Sequence, residues 1–194
     1  MTKSIDFYFD FISPYSYLGY KKLNLLNQNN QIHINYKPIL LGGLHNLGGI
    51  TAPAFNERKM KNMKNDCELV AKKNNIEFKW NTKFPVNSLY LMRGYLIIKD
   101  DLKKKYFDVC FDAYWKNNID IADEKNTDSI LETVGQDKIE FIDGIKETKT
   151  KEELKRVTKN AFEIDIFGAP TFVVNNKIFW GQDRLNYAID EYNS

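Results

Sequence analysis

Cysteine is scarce: Cys67 and Cys110 are the only two in a chain of 194 residues. That count argues for a reducing compartment and against a disulfide scaffold. No apolar run approaches the ~18–20 residues that a membrane span needs, so the sequence predicts no transmembrane segment. The start, Met-Thr-Lys-Ser-Ile-Asp-Phe, lacks a charged region followed by an apolar stretch, and Tyr192-Asn193-Ser194 is not a peroxisomal address. Neither a secretory signal nor an organellar address is expected, which leaves a cytoplasmic protein as the expectation. Charge of one sign is also missing, because 28 Lys+Arg stand against 26 Asp+Glu for a net +2. The lysines interleave with acidic residues, which reads as a solvated surface and not as a nucleic-acid footprint. Histidine is limited to His33 and His45, and these form no metal-ligand spacing with the two cysteines. A Gly-x-Ser-x-Gly elbow is absent, and Gly43 to Gly48 has phosphate-loop spacing without the Lys and Ser/Thr that should follow. Serine-hydrolase and nucleotide-binding readings fall away.

What is present is a globular composition, with 43% hydrophobic and 14% aromatic residues. A chain this long buries about 70% of the surface its unfolded form exposes and needs no staples. Ile5, Phe7, Phe9 and Phe11 alternate with Asp6, Tyr8 and Asp10, which predicts a strand. Ser13-Pro14 then supplies a helix start, with Ser as N-cap and Pro at the first helical position. Leu18, Lys22, Leu25 and Leu26 continue at helical spacing until the Asn27–Asn30 run, and Ile32, Ile34 and Tyr36 form a second strand closed by Pro38. A strand, a helix and a strand of these lengths predict a right-handed parallel unit. Gly42-Gly43 and Gly48-Gly49 are expected to bracket a loop, followed by more than a hundred residues of helical pattern. Met60, Met63, Cys67 and Val70 share one helix face, and Leu102, Tyr106, Val109, Cys110 and Ala113 another. Both cysteines are expected as buried, inert thiols on these stripes. Thr150-Lys-Glu-Glu153 has the form of a capping box ahead of Leu154, Val157 and Ala161. The tail returns to strands, 170–174 and 177–180 around an Asn175-Asn176 turn, and ends in a short helix carrying Leu185, Ala188, Ile189 and Tyr192.

The order β-α-β, helices, β-β-α predicts an α/β thioredoxin-like fold with an all-helical insertion domain. The expected division is 1–44 and 162–194 for the thioredoxin-like domain and 45–161 for the insertion. In that fold the reactive turn follows the first strand, at Ser13-Pro14-Tyr15-Ser16. A Ser-x-x-Ser turn cannot form a disulfide, so dithiol exchange at this site is excluded. A helix N-terminus does favour an anion. Ser13 is thus either a plain N-cap or a hydrogen-bond donor to a thiolate brought by a ligand. Pro170 opens a strand, and in this fold a cis proline at that place leaves the preceding residue, Ala169, free to pair with a peptide. The sequence does not reveal the isomer. Gln182 and Asp183 stand at the last helix start, where Asp183 serves as N-cap or as partner for an ammonium group. Trp180 reads equally as core or as ligand wall, and His45 lies in the glycine-rich loop near the expected cleft.

Three stretches carry a family resemblance: Asp6-Phe-Tyr-Phe-Asp-Phe-Ile-Ser-Pro-Tyr-Ser-Tyr-Leu18, Phe167-Gly-Ala-Pro-Thr-Phe-Val173 and Phe179-Trp-Gly-Gln-Asp-Arg-Leu185. Together they closely resemble the 2-hydroxychromene-2-carboxylate isomerases, which group with kappa-class glutathione transferases in the DsbA-like branch of the thioredoxin superfamily. Pro38-Ile-Leu-Leu-Gly-Gly-Leu44, Pro53-Ala54 and Phe84-Pro-Val-Asn-Ser-Leu89 extend the likeness over nearly the whole chain. The resemblance implies glutathione as cofactor, with Ser13 holding its sulfur, Ala169 beside Pro170 pairing with the tripeptide backbone, and Gln182 and Asp183 holding the γ-glutamyl end. It also implies a homodimer and a small aromatic or electrophilic substrate, with Asn56, Arg58 and Phe84 as pocket residues. Where well-studied isomerases carry a lysine after the second strand, this chain has Gly42-Gly43-Leu44-His45. The competing readings are a kappa-type transferase acting on other electrophiles and a non-catalytic thioredoxin-like protein that holds a peptide in the proline groove.

Overall fold

The computed structural model describes residues 3–29 and 31–194; Met1, Thr2 and Asn30 lie outside the described residues. Strand β1 (Ile5–Phe9) buries Ile5, Phe7 and Phe9 completely, as the alternation predicts. It stops at Phe9, however, so Asp10 and Phe11 belong to the following turn. Helix α1 (Pro14–Leu26) starts at Ser13, whose side chain accepts a hydrogen bond from Ser16 N, and it ends at Asn27. Its buried face is built from Tyr17, Leu18, Tyr20 and Leu23, while Leu25 and Leu26 face solvent. Strand β2 (Ile34–Pro38) pairs with β1 in parallel, Ile5 opposite Ile34.

The expected loop at Gly42-Gly43 is instead helix α2 (Leu41–Leu47). Its N-cap residue, Leu40, has no capping side chain. The open N–H groups find remote partners: Leu41 N donates to Asp10 Oδ2 at 2.8 Å and Leu40 N to Thr158 Oγ1 at 2.9 Å. Tertiary capping of this kind overrides the helix cost of two glycines and leaves no local sequence mark.

A short 3₁₀ turn (Pro53–Phe55) leads into α3 (Glu57–Lys73), followed by α4 (Leu89–Ile97), α5 (Asp100–Trp115), α6 (Glu124–Val134), α7 (Lys138–Lys146) and α8 (Thr148–Glu163). The expected capping box at Thr150 does not form. Helix α8 starts two residues earlier because Glu147 closes α7 and opens α8 at once. Thr150 is thereby buried in the first turn, and Glu153 pairs with Arg156 at 2.6 Å instead of reaching back to a cap. Strands β3 (Thr171–Val174) and β4 (Lys177–Trp180) form the predicted hairpin, with Asn175 and Asn176 both at positive φ as a two-residue primed turn demands. Helix α9 (Leu185–Asn193) closes the chain.

The sheet order is β2-β1-β3-β4, with β1 antiparallel to β3 and β3 antiparallel to β4. This is the DsbA-like thioredoxin arrangement, helices being inserted between β2 and β3. An aromatic core joins the two parts: Phe9 meets Phe107 at 4.6 Å between ring centroids, Tyr20 meets Phe107 at 4.5 Å, and Phe11 meets Phe111 at 5.0 Å. These edge-on contacts contribute beyond simple burial, about 0.5–1.5 kcal/mol per pair. They clamp β1 and α1 onto α5, so the turn between β1 and α1 is held from below. No helix of the described residues is long and apolar enough to cross a membrane.

Candidate functional site

The turn at 10–13 is stitched by its own backbone and by two remote elements. Ser13 N donates to Asp10 C=O at 3.0 Å, and Ile12 N donates to Asp10 Oδ1 at 3.1 Å. Trp115 Nε1, at the end of α5, donates to Phe11 C=O at 2.9 Å. The Asp10 carboxyl is fully buried, and no charged side chain offsets it. Burial pushes its pKa up to about 6 against the opposing pull of the Leu41 N–H, the Ser88 hydroxyl and the Ile12 N–H. Sequence reading missed this residue. The β1 alternation groups Asp10 with Asp6 and Tyr8 on the outward face, and only the early end of β1 turns it inward.

Ser13 is a cap and more than a cap. Its Oγ accepts from Ser16 N at 3.1 Å and donates to Ala169 C=O at 2.9 Å, across 156 residues of chain. The Ala169-Pro170 peptide bond is cis, and Gly181 N donates to Pro170 C=O at 2.9 Å. The proline segment and the Ser13 turn are therefore in direct contact. Pro14 has no N–H, Ser16 N is held by Ser13 Oγ, and Tyr17 N donates to Ser13 C=O. Tyr15 N–H is left as the open donor at this helix end, with no acceptor among the described residues, and Ala169 N–H is likewise open. The Tyr15 N–H, at the N-terminal end of α1, is the kind of donor that favours an anion.

Gly181 has φ +105° and turns the chain into the segment 182–184. That φ is one that side-chain-bearing residues rarely adopt, so glycine is favoured here; an added Cβ would also lie 2.5 Å from Asp183 Oδ1 and push that exposed carboxylate aside. Gln182 is buried beside the proline, and Lys22 Nζ donates to its C=O at 2.9 Å and its Oε1 at 3.0 Å. Asp183 is exposed and paired with Arg184 at 3.0 Å; its side chain caps nothing. Sequence reading missed Lys22, which carries no signal beyond its helical spacing. Trp180 is half-exposed and lies against Phe167, at 4.8 Å between ring centroids, outside the core.

Tyr15, two residues after Ser13, lines an open recess of about 430 Å³ together with Pro53, Arg58, Lys59, Asn62 and Met63. Of the three expected pocket residues Arg58 lines this recess. Asn56 caps α3, its Oδ1 accepting from Lys59 N at 3.0 Å, and Phe84 packs on Trp80 and Trp115. His45 sits half-buried on α2, not in a loop, and burial lowers its pKa. Cys67 and Cys110 are buried, and burial pushes both thiols up, away from the thiolate.

Comparison with known proteins matches the DsbA-like thioredoxin domain over residues 4–193. A 2-hydroxychromene-2-carboxylate isomerase from Sphingobium xenophagum is 31% identical over 189 residues, covering 96% of each chain. Glutathione S-transferase kappa 1 from Homo sapiens is 24% identical over 200 residues, covering 95% of this chain and 88% of that one. A solved structure of a 2-hydroxychromene-2-carboxylate isomerase superposes with TM-score 0.88 at 26% identity, covering 97% of this chain and 94% of that one. Both named relatives are enzymes.

Proposed function

Because the chain belongs to the DsbA-like thioredoxin family, and within it to the group of the 2-hydroxychromene-2-carboxylate isomerases, we propose that it is a glutathione-dependent isomerase of small aromatic or electrophilic substrates. The observation that carries this reading is the hydroxyl of Ser13 meeting Ala169 C=O beside two open N–H groups. Bound glutathione would supply a thiolate that adds reversibly to an electrophilic carbon of the substrate. Everything else falls to the chain. Ser13 has one hydroxyl proton, now given to Ala169 C=O; rotation about its Cβ–Oγ bond redirects that proton to a sulfur, while Oγ stays in place and continues to accept from Ser16 N–H. Tyr15 N–H and the positive end of α1 add to the same stabilisation. Ala169 N–H pairs with an extended peptide, and its C=O becomes available once Ser13 turns. Gln182 and Asp183 take the γ-glutamyl end. Arg58 and Lys59 make the adjoining recess attractive to an anionic group on the substrate. The cavity orients both reactants, and orientation alone is worth several powers of ten in rate.

A kappa-type transferase would use the same thiolate and retain the new carbon–sulfur bond; the likeness to the human enzyme favours keeping this second reading. The test is calorimetry with reduced glutathione, followed by turnover assays on 2-hydroxychromene-2-carboxylate and on a chlorinated nitroarene. Ser13→Ala should reduce turnover roughly 10²-fold by removing a donor to developing charge. Absence of glutathione binding at millimolar concentration in the unaltered protein would rule the proposal out.

A further inference from the structure

The corner formed by α1 and the segment after Gly181 holds a lysine that no catalytic step uses. Lys22 Nζ makes two hydrogen bonds, both to Gln182: one to its backbone carbonyl and one to its side-chain Oε1. An ammonium group has three donors, so one remains free. The amide answers in kind. With Oε1 held on the ammonium, Nε2 is committed to donate, and it finds no acceptor among the described residues. Gln182 is 7% exposed, so its orientation is set by these bonds and by packing, not by solvent. Asp183 follows directly and is solvent-facing, and its charge acts on Lys22.

The corner thus holds an ammonium N–H and an amide NH₂ next to the Asp183 carboxylate, whose exposed ion pair with Arg184 leaves it open to sharing with a ligand. That pattern complements a carboxylate and an ammonium carried on the same carbon, the zwitterionic end of an amino acid. It also connects to the reactive turn. At Gly19 a built Cβ would lie 3.5 Å from Pro170 Cγ and 3.6 Å from Gln182 Cβ, so α1 packs directly against both. We propose that Lys22 is a specificity-determining, positioning residue, which fixes the Gln182 amide as a donor and so selects thiols that bear an amino-acid zwitterion. This rests on the glutathione reading above.

The test compares two thiols, reduced glutathione and its fragment cysteinylglycine, which lacks the γ-glutamyl residue. Dissociation constants are measured by calorimetry on the unaltered protein and on Lys22→Met, which keeps the aliphatic stem. Loss of a charge-assisted contact should weaken glutathione at least about tenfold. Cysteinylglycine should bind the variant as it binds the parent, which also reports that the variant is folded. Equal weakening of both thiols would overturn the inference, since it would mark Lys22 as a scaffold for the proline corner. An unchanged glutathione affinity would overturn it as well, and so would a parent protein that binds the two thiols equally well. A parent that binds neither removes the glutathione reading itself, a failure distinct from the others.

Discussion

Replacing Asp10 with Asn isolates the cost of keeping one charge inside the protein. The carboxyl is completely buried, accepts from Ile12 N and Leu41 N, and has its pKa raised from 3.8 to about 6. An acid with a raised folded-state pKa binds its proton more tightly in the folded chain than in the unfolded one. Its contribution to stability is therefore full below the unfolded value and is lost as pH rises through about 6. The whole effect amounts to roughly 3 kcal/mol, of which about 2 kcal/mol falls between pH 4.5 and pH 7.5. Asparagine does not titrate, but its NH₂ group would confront a backbone N–H that now has an acceptor, a loss of about 1–3 kcal/mol. A single comparison at one pH therefore mixes two opposing effects. The decisive quantity is the change in the parent-minus-variant difference between the two pH values, in which the other carboxylates cancel. Guanidinium unfolding followed by tryptophan fluorescence at pH 4.5 and 7.5 supplies all four free energies. The parent should gain about 2 kcal/mol on the variant at the lower pH. A difference that stays constant with pH, or moves the other way, would refute a buried carboxyl with a raised pKa.

Two further outcomes follow from the same geometry. Gly181→Ala should destabilise the fold by about 1–3 kcal/mol through its left-handed φ and, by displacing Gln182 and Asp183, weaken glutathione more than cysteinylglycine; thermal melts and calorimetry check both parts. Cys67 and Cys110, buried with raised pKa values, should resist a thiol reagent such as dithionitrobenzoate in the native state at pH 8 and react rapidly in guanidinium, so fast native labelling of either would contradict the burial.

Much of the fold was legible because its signals are local. The β1 alternation as far as Phe9, the Ser13-Pro14 helix start, the Asn175-Asn176 turn and the apolar stripe of α3 each depend on neighbours within a few residues, and each stands where periodicity and capping place it. The misreadings share one cause. Helix α2 runs through Gly42-Gly43 because Asp10 and Thr158 cap it from elsewhere. The Thr150 box fails because α7 delivers the chain directly into α8. In both cases the helix boundary is decided by groups that are distant in sequence or by the end of the preceding helix.

The candidate site divides along the same line. Ser13, Pro170, Gln182 and Asp183 could be named from motifs, because turns and helix starts leave a mark in residue type. The partners of these residues could not. Ser13 reaches Ala169, Lys22 reaches Gln182, and Asp10 reaches Leu41 only after the chain has closed on itself. By itself, then, the sequence singled out the turn after β1 and the starts of β3 and of the last helix as the candidate site, and Ser13 and Ser16 rule out a disulfide within that turn. The tertiary structure decided which hydroxyl proton, amide and buried charge those turns receive. The reason is physical: a hydrogen bond across more than a hundred residues depends on how the aromatic core seats β1 and α1 against α5, and no short-range pattern encodes that seating.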